Sequence, residues 1–266
     1  RDGSTDGGSF GRAFAAIEFA IANKRKFGIN IINLSLGHPI FEPAASDPLV
    51  QAVEKASRAG IIVVASAGNH GVDENGEIGF AGITSPGNAP WVLTVGASGD
   101  RDSRRRGDAG VAPFSSRGPT PVDLAAKPDI VAPGVGIESL ADAHSLFYRR
   151  YESSLVAGTI PTATLPYLSL TGTSMASPVV AGTVALMLEI SPTLTPNAIK
   201  AILEYTADVR PDDDFLTQGA GLLNVRGAIR LAERFAKPHE EGVLSFTDAI
   251  GDEAVVWGRH LIWGNY

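Results

Sequence analysis

Cysteine is absent from all 266 residues. That excludes disulfides, thiol catalysis and cysteine-ligated zinc, and leaves the compartment open, since many extracellular bacterial proteins also do without it. Positive charge is short as well. Lys and Arg number 22 against 29 Asp and Glu, a formal net charge of -7, which argues against nucleic acid or an anionic membrane as a partner. Charged residues make up 19% and hydrophobic ones 44%, a balance that excludes a disordered chain. No apolar stretch approaches the roughly 18 residues of a membrane span, and Arg1-Asp2-Gly3 is not a signal peptide. The missing initiator Met is read as a sign of processing or truncation.

What is present is led by Gly172-Thr173-Ser174-Met175-Ala176-Ser177-Pro178, followed by the apolar run Val179 to Leu188. A serine at the mouth of a helix sits where unpaired N–H groups and the positive end of the macrodipole gather. Negative charge developing on an attacked carbonyl oxygen is stabilised there, as a serine nucleophile requires. Gly172 lets a substrate backbone come close without a Cβ in the way. The competing reading of Ser174 is an ordinary helix N-cap.

The remaining pattern alternates strand and helix. Phe10, Phe14, Ile17 and Ile21 recur at helical spacing in a segment ending near Gly28. Ile29 to Leu36 reads as a strand buried on both faces, Ile61 to Ser66 as the next and Trp91 to Ala97 as another. Asp47, Pro48 and Gly60 supply the start and stop signals of a helix, and Thr195-Pro196 and Asn224 open two more. Strand, helix and strand in so few residues predict a parallel pair with a right-handed crossover, and ligands in such sheets bind at the carboxyl ends of the strands.

Four further strings accompany the serine motif. They are Ile31-Ile32-Asn33-Leu34-Ser35-Leu36-Gly37, Val63-Val64-Ala65-Ser66-Ala67-Gly68-Asn69, Phe114-Ser115-Ser116-Arg117-Gly118-Pro119 and Lys127-Pro128-Asp129-Ile130-Val131-Ala132-Pro133-Gly134. In this order they resemble the subtilisin-like serine proteases, from about residue 2 to about residue 236, with a longer loop than usual at 141–169. The resemblance implies a three-layer α/β fold with a mostly parallel sheet flanked by helices. It implies Ser174 as nucleophile and Asn69 as oxyanion donor. Ser35, Leu36 and Gly37, with Ala65, Ser66, Ala67 and Gly68, become the walls of a substrate pocket, Thr84 its floor, and Gly7 and Gly8 the opposite rim of the cleft. Protein or peptide substrates, an extracellular setting and optional structural calcium also follow from it.

Such proteases place an Asp and a His before the Ser. The family's His-Gly-Thr-His and Asp-Thr/Ser-Gly strings do not occur here, and His38, His70, His144, His239 and His260 all lack that neighbourhood. The chain is therefore read as the C-terminal part of a catalytic domain, 1–240, lacking its N-terminal strands, with an extension at 241–266. A docked N-terminal fragment carrying the Asp and His is expected, cut in the Gly- and Ser-rich stretch Asp2 to Ser9, and without it Ile29 to Leu36 and Ile61 to Ser66 should lack neighbours. A non-catalytic relative that binds peptides or inhibitors is the alternative. A third reading is an esterase with Ser174 in an elbow, completed by Asp208 or Asp248 and His239 or His260. In the extension, Trp257-Gly258 and Trp263-Gly264 recur six residues apart, which predicts a strand pair, a strand covering a sheet edge, or the start of a repeat. Arg104-Arg105-Arg106 reads as a solvated loop, and Asp212-Asp213-Asp214 as a solvated turn rather than a calcium site.

Overall fold

The computed structural model describes residues 7–99, 109–237 and 243–262. The Arg104 to Arg106 run, His239 and the second Trp-Gly pair lie outside them. In chain order come α1 (Gly7–Phe27), β1 (Ile31–Leu34), α2 (Pro48–Arg58), β2 (Ile62–Ser66), β3 (Leu93–Ser98) and β4 (Ile130–Pro133). An insertion follows with β5 (Ile137–Leu140), α3 (Leu146–Arg150), β6 (Leu155–Val156) and β7 (Tyr167–Leu170). The chain continues through α4 (Thr173–Ile190), α5 (Pro196–Thr206), α6 (Phe215–Gln218), α7 (Val225–Ala236), β8 (Thr247–Ile250) and β9 (Glu253–Val256).

The four strands β1-β2-β3-β4 form a parallel sheet in that order. Alternation along β2 divides the interior in two: Ile62 and Val64 join a cluster with Val180, Val184, Ile199 and Leu203, while Val63 and Ala65 join one with Ile17, Leu49 and Val53. Successive side chains point to opposite faces of a strand, so one apolar run serves both layers. Helices α1 and α2 cover one face and α4, α5 and α7 the other, which gives the expected three layers. The expectation that Ile61 to Ser66 would lack a neighbour is overturned, because β2 is paired on both sides. Of β1 and β2 it is β1 that lies at an edge of the sheet, with Ile31 and Ile32 half-buried and Asn33 exposed.

Local signals act as read. Asp47 accepts from the N–H groups of Leu49 and Val50 at the start of α2. Thr195 caps α5 through Ala198 N, and Asn224 caps α7 through Gly227 N. Asp214, taken for part of a solvated turn, caps α6 through Leu216 N and Thr217 N. Helix α4 corrects another reading, since its 18 residues are long and apolar enough to cross a membrane by length and composition. Here it lies across all four strands of the sheet, so its apolar character belongs to a core helix.

A charged cluster sits beside this core. Lys127 Nζ donates to Asp129 Oδ2 at 2.7 Å, to Val92 O at 3.0 Å and to Thr94 Oγ1 at 3.0 Å. Lys200 Nζ lies 2.8 Å from Asp129 Oδ1 and donates to Pro90 O at 2.8 Å. One turn on, Glu204 Oε2 accepts from Ile262 N at 2.7 Å. Burial pushes Lys127 down to about 7 against the pull of Asp129. Burial, with the Asp129 charge added, pushes Glu204 up to about 8.

The extension folds back onto the domain. Strands β8 and β9 pair as an antiparallel hairpin, and Trp257 behind them is 2% exposed. Its indole N–H donates to Asp248, which also accepts from Asn224 Nδ2 at 2.9 Å and pairs with Arg230. Tyr205 and Phe246 meet its ring edge-on. The pair is formed by 247–250 and 253–256 rather than by the two Trp-Gly copies, the second of which lies outside the described residues. This hairpin with Trp257 packs on α7 and against Tyr205 of α5 rather than along a sheet edge.

Two outcomes follow. Trp257→Ala should cost about 3–5 kcal/mol in urea unfolding, the range for emptying a buried aromatic site, with the denaturant slope unchanged. Glu204 keeps its proton in the folded chain up to about pH 8 but loses it near the ordinary 4.5 when unfolded. The folded state thus binds the extra proton, so this stabilisation is fully present below pH 4.5 and decays as pH rises through about 8. Unfolding midpoints should fall between pH 5 and pH 7, below the range where Lys127 acts in the opposite sense, and Glu204→Gln should flatten that fall.

Candidate active site

Strand β7 turns into α4 through Thr171 and Gly172. Gly172 has φ 154° and ψ 163°, a backbone region closed to side chains, and donates its N–H to Gly134 O at 2.8 Å. Gly172, at the N-cap of α4, has no side chain to cap the helix. The N–H of Ser174, in its first turn, therefore has no acceptor among the described residues and lies at the positive end of the helix.

Asn69 reaches this turn from the carboxyl end of β2. Its Oδ1 accepts from Thr173 N and from Thr173 Oγ1, each at 3.0 Å, and Gly68 N donates to Thr173 Oγ1 at 3.2 Å. Two donors on the oxygen orient the carboxamide and leave Nδ2 without a partner among the described residues. A Cβ placed on Gly172 would lie 3.5 Å from that nitrogen, so the free amide group faces the serine turn. Thr173 is the residue that sequence reasoning passed over; its place inside the Gly-Thr-Ser string was the available signal.

The other named positions gather around Thr84. The segment after β1, Ser35 to Gly37, runs beside the buried Ala65, Ser66 and Ala67 of the β2 end, and His38 and Ser85 exchange backbone hydrogen bonds. A Cβ on Gly37 would meet Thr84 Oγ1 at 2.5 Å, and one on Gly68 would meet Thr84 Cγ2 at 3.1 Å. Thr84 is buried and fills the space between the two segments, while Leu36 is partly exposed. Gly7 and Gly8 belong to α1, so the predicted loop ends before them.

No histidine reaches Ser174 among the described residues. Ser174 Oγ donates weakly to Ser35 O at 3.4 Å. His38 shares a hydrogen bond with Pro39 O and lies 3.7 Å from Asp47. His260 sits against the Phe215 ring. The described residues lend the esterase reading no support: Asp248 is held by Arg230, Trp257 and Asn224, Asp208 pairs with Arg210 at 3.6 Å, and His239 lies outside them. Among the described residues no three of His, Asp and Glu gather at one point, and Asp214 is taken by its cap.

Comparison with known proteins agrees with this arrangement. The chain is 41% identical to serine protease AprX of Bacillus subtilis over 203 residues, covering 76% of this chain and 43% of that one. It is 35% identical to subtilisin DY of Bacillus licheniformis over 226 residues, covering 85% and 64%. The solved structure of fervidolysin from Fervidobacterium pennivorans, described as a keratinolytic enzyme related to subtilisin, superposes with a TM-score of 0.60 at 27% identity, covering 82% of this chain and 28% of that one. The chain thus spans roughly two-fifths to two-thirds of the curated relatives it matches. The subtilase family model matches residues 3–228, and on the sheet, the serine turn and that match the chain belongs to the subtilase family.

Proposed function

We propose that this chain is the nucleophile-bearing part of a serine endopeptidase that acts outside the cell on proteins or peptides. The observation that carries the reading is the Asn69 carboxamide, held by its oxygen at Thr173 with its nitrogen free beside Gly172. Ser174 Oγ would attack the scissile carbonyl carbon, passing its proton to a base. The resulting oxyanion would be met by Asn69 Nδ2 and Ser174 N–H. Breaking the C–N bond releases the amine with that proton, and water then hydrolyses the acyl group from Ser174. Gly37, Gly68 and Thr84 would line the pocket for the residue before the cut, with Ser35, Leu36, Ala65, Ser66 and Ala67 supporting its walls. Gly7 and Gly8, at the start of α1, keep the proposed place on the far rim.

The base belongs, in this reading, to an N-terminal part of the same protease docked along β1. The half-buried Ile31 and Ile32, and an outer side of that strand paired by no other strand among the described residues, support it. The absence of a histidine near Ser174 among the described residues equally favours a second reading, a subtilase relative that binds peptides without cutting them.

Labelling separates the two. A fluorophosphonate should modify Ser174 in a preparation containing the N-terminal part and leave the 266-residue chain alone essentially unlabelled. Efficient labelling of that chain alone would place the base within it, and peptide binding without labelling in either preparation would favour the non-catalytic relative. In the active preparation, Asn69→Ala should lower kcat at least about tenfold, equivalent to about 1.4 kcal/mol of transition-state stabilisation, with little change in KM. A destabilised but catalytically normal variant would remove Asn69 from the site.

A further inference from the structure

Pro178 stands four residues after Ser174 inside α4. A residue there would normally donate its N–H to the Ser174 carbonyl, and proline has none to give. The carbonyl is nevertheless satisfied. Ser35 Oγ, from the segment that leaves β1, donates to Ser174 O at 2.8 Å. The same hydroxyl lies 3.0 Å from Ser177 Oγ and accepts from Asn33 Nδ2 at 2.9 Å.

A serine hydroxyl has one proton to give and two lone pairs to offer. With its proton directed to Ser174 O, Ser35 must accept from both Asn33 and Ser177, so all three of its bonding positions are filled. Ser177 is fully buried, which keeps this arrangement on its inner side out of water. The backbone bond missing from the helix is thereby replaced by one from the segment that leaves the edge strand, 139 residues away in sequence.

We infer that Ser35 is a positioning residue for Ser174: it substitutes for the hydrogen bond that Pro178 removes and fixes the first turn of α4 to the end of β1. This rests on the endopeptidase reading for its catalytic consequence, though not for the contact itself. It differs from a pocket-wall role, which would act through substrate binding. A Ser174 carbonyl left without a donor would let the turn shift, and small displacements of a nucleophile lower kcat more than they change KM.

The experiment is a cycle on the protease with its N-terminal part present. Ser35→Ala should lower kcat about tenfold with KM nearly constant, and Ser35→Thr, which retains the hydroxyl, should recover most of the loss. In a Pro178→Ala background, where residue 178 regains an N–H, Ser35→Ala should cost less than about twofold. Amide exchange over residues 174–177 should quicken in Ser35→Ala and not in Ser35→Ala/Pro178→Ala. A rise in KM at constant kcat, failure of threonine to rescue, or equal losses in both backgrounds would overturn the inference. If the unsubstituted protein cuts no peptide, the endopeptidase reading fails, and the exchange rates alone decide whether Ser35 holds the turn, with no quickening counting against it.

Discussion

The carboxylate of Asp129 is the point on which the scaffold turns. It accepts from the N–H of Thr94 at 2.6 Å and faces two ammonium groups, Lys127 and Lys200, at 2.7 and 2.8 Å. Its own backbone N–H donates to Thr94 O, and its carbonyl accepts from Ala220 N. One residue thereby ties together the start of β4, the start of β3, helix α5 and the turn before α7. All of this is buried, where a lone charge would be costly and a lost partner leaves the other uncompensated. The arrangement tolerates little movement.

That rigidity is transmitted to the site. Strand β4 leads directly to Gly134, whose carbonyl holds Gly172, and β2 leads directly to Asn69, which holds Thr173. The serine turn is therefore gripped from two strand ends whose spacing the sheet fixes, and from a third, β1, through Ser35. Sites built on regular elements keep their geometry better than sites built on loops. The segments around Thr84 follow the same logic: Thr84 occupies room that a side chain at 37 or 68 would take, and Gly68 is further required by its φ of 110° and by Ser116 Oγ, 2.7 Å from where its Cβ would stand.

Much of this was legible wherever the cause is local. Asp47, Thr195 and Asn224 announce their helices because a cap needs only the next three residues, and β2 and β3 announce themselves by unbroken apolar runs. Ser174 and Asn69 came from strings whose spacing is distinctive. What escaped reading depends on residues far apart in sequence. Ile29 to Leu36 was read as one long strand, yet pairing stops at Leu34 because the chain beyond it turns to meet Ser174 and Ser85. Lys127, Asp129, Lys200 and Glu204 share no periodicity and meet only once the sheet and α5 are in place. The loop at 141–169 joins the strands of a small antiparallel sheet, β5-β7-β6, whose short strands carry little alternation. Trp257 reads as part of an appendage, because nothing near it in sequence foretells Asp248 and Arg230 as partners.

Helix α4 has a further consequence, and it concerns time. It covers one face of all four parallel strands, yet every one of those strands precedes it in the chain. The contact that fixes Ser174 to Ser35 closes a loop of 139 residues. Closing so long a loop costs chain entropy before any contact is gained, and folds dominated by such distant pairings form slowly. Until α4 arrives, the sheet has nothing to lay over Ile62, Val64, Val95 and Ile130 on that side. The nucleophile is carried by the same helix that completes the core, so the chemistry cannot be assembled ahead of the fold.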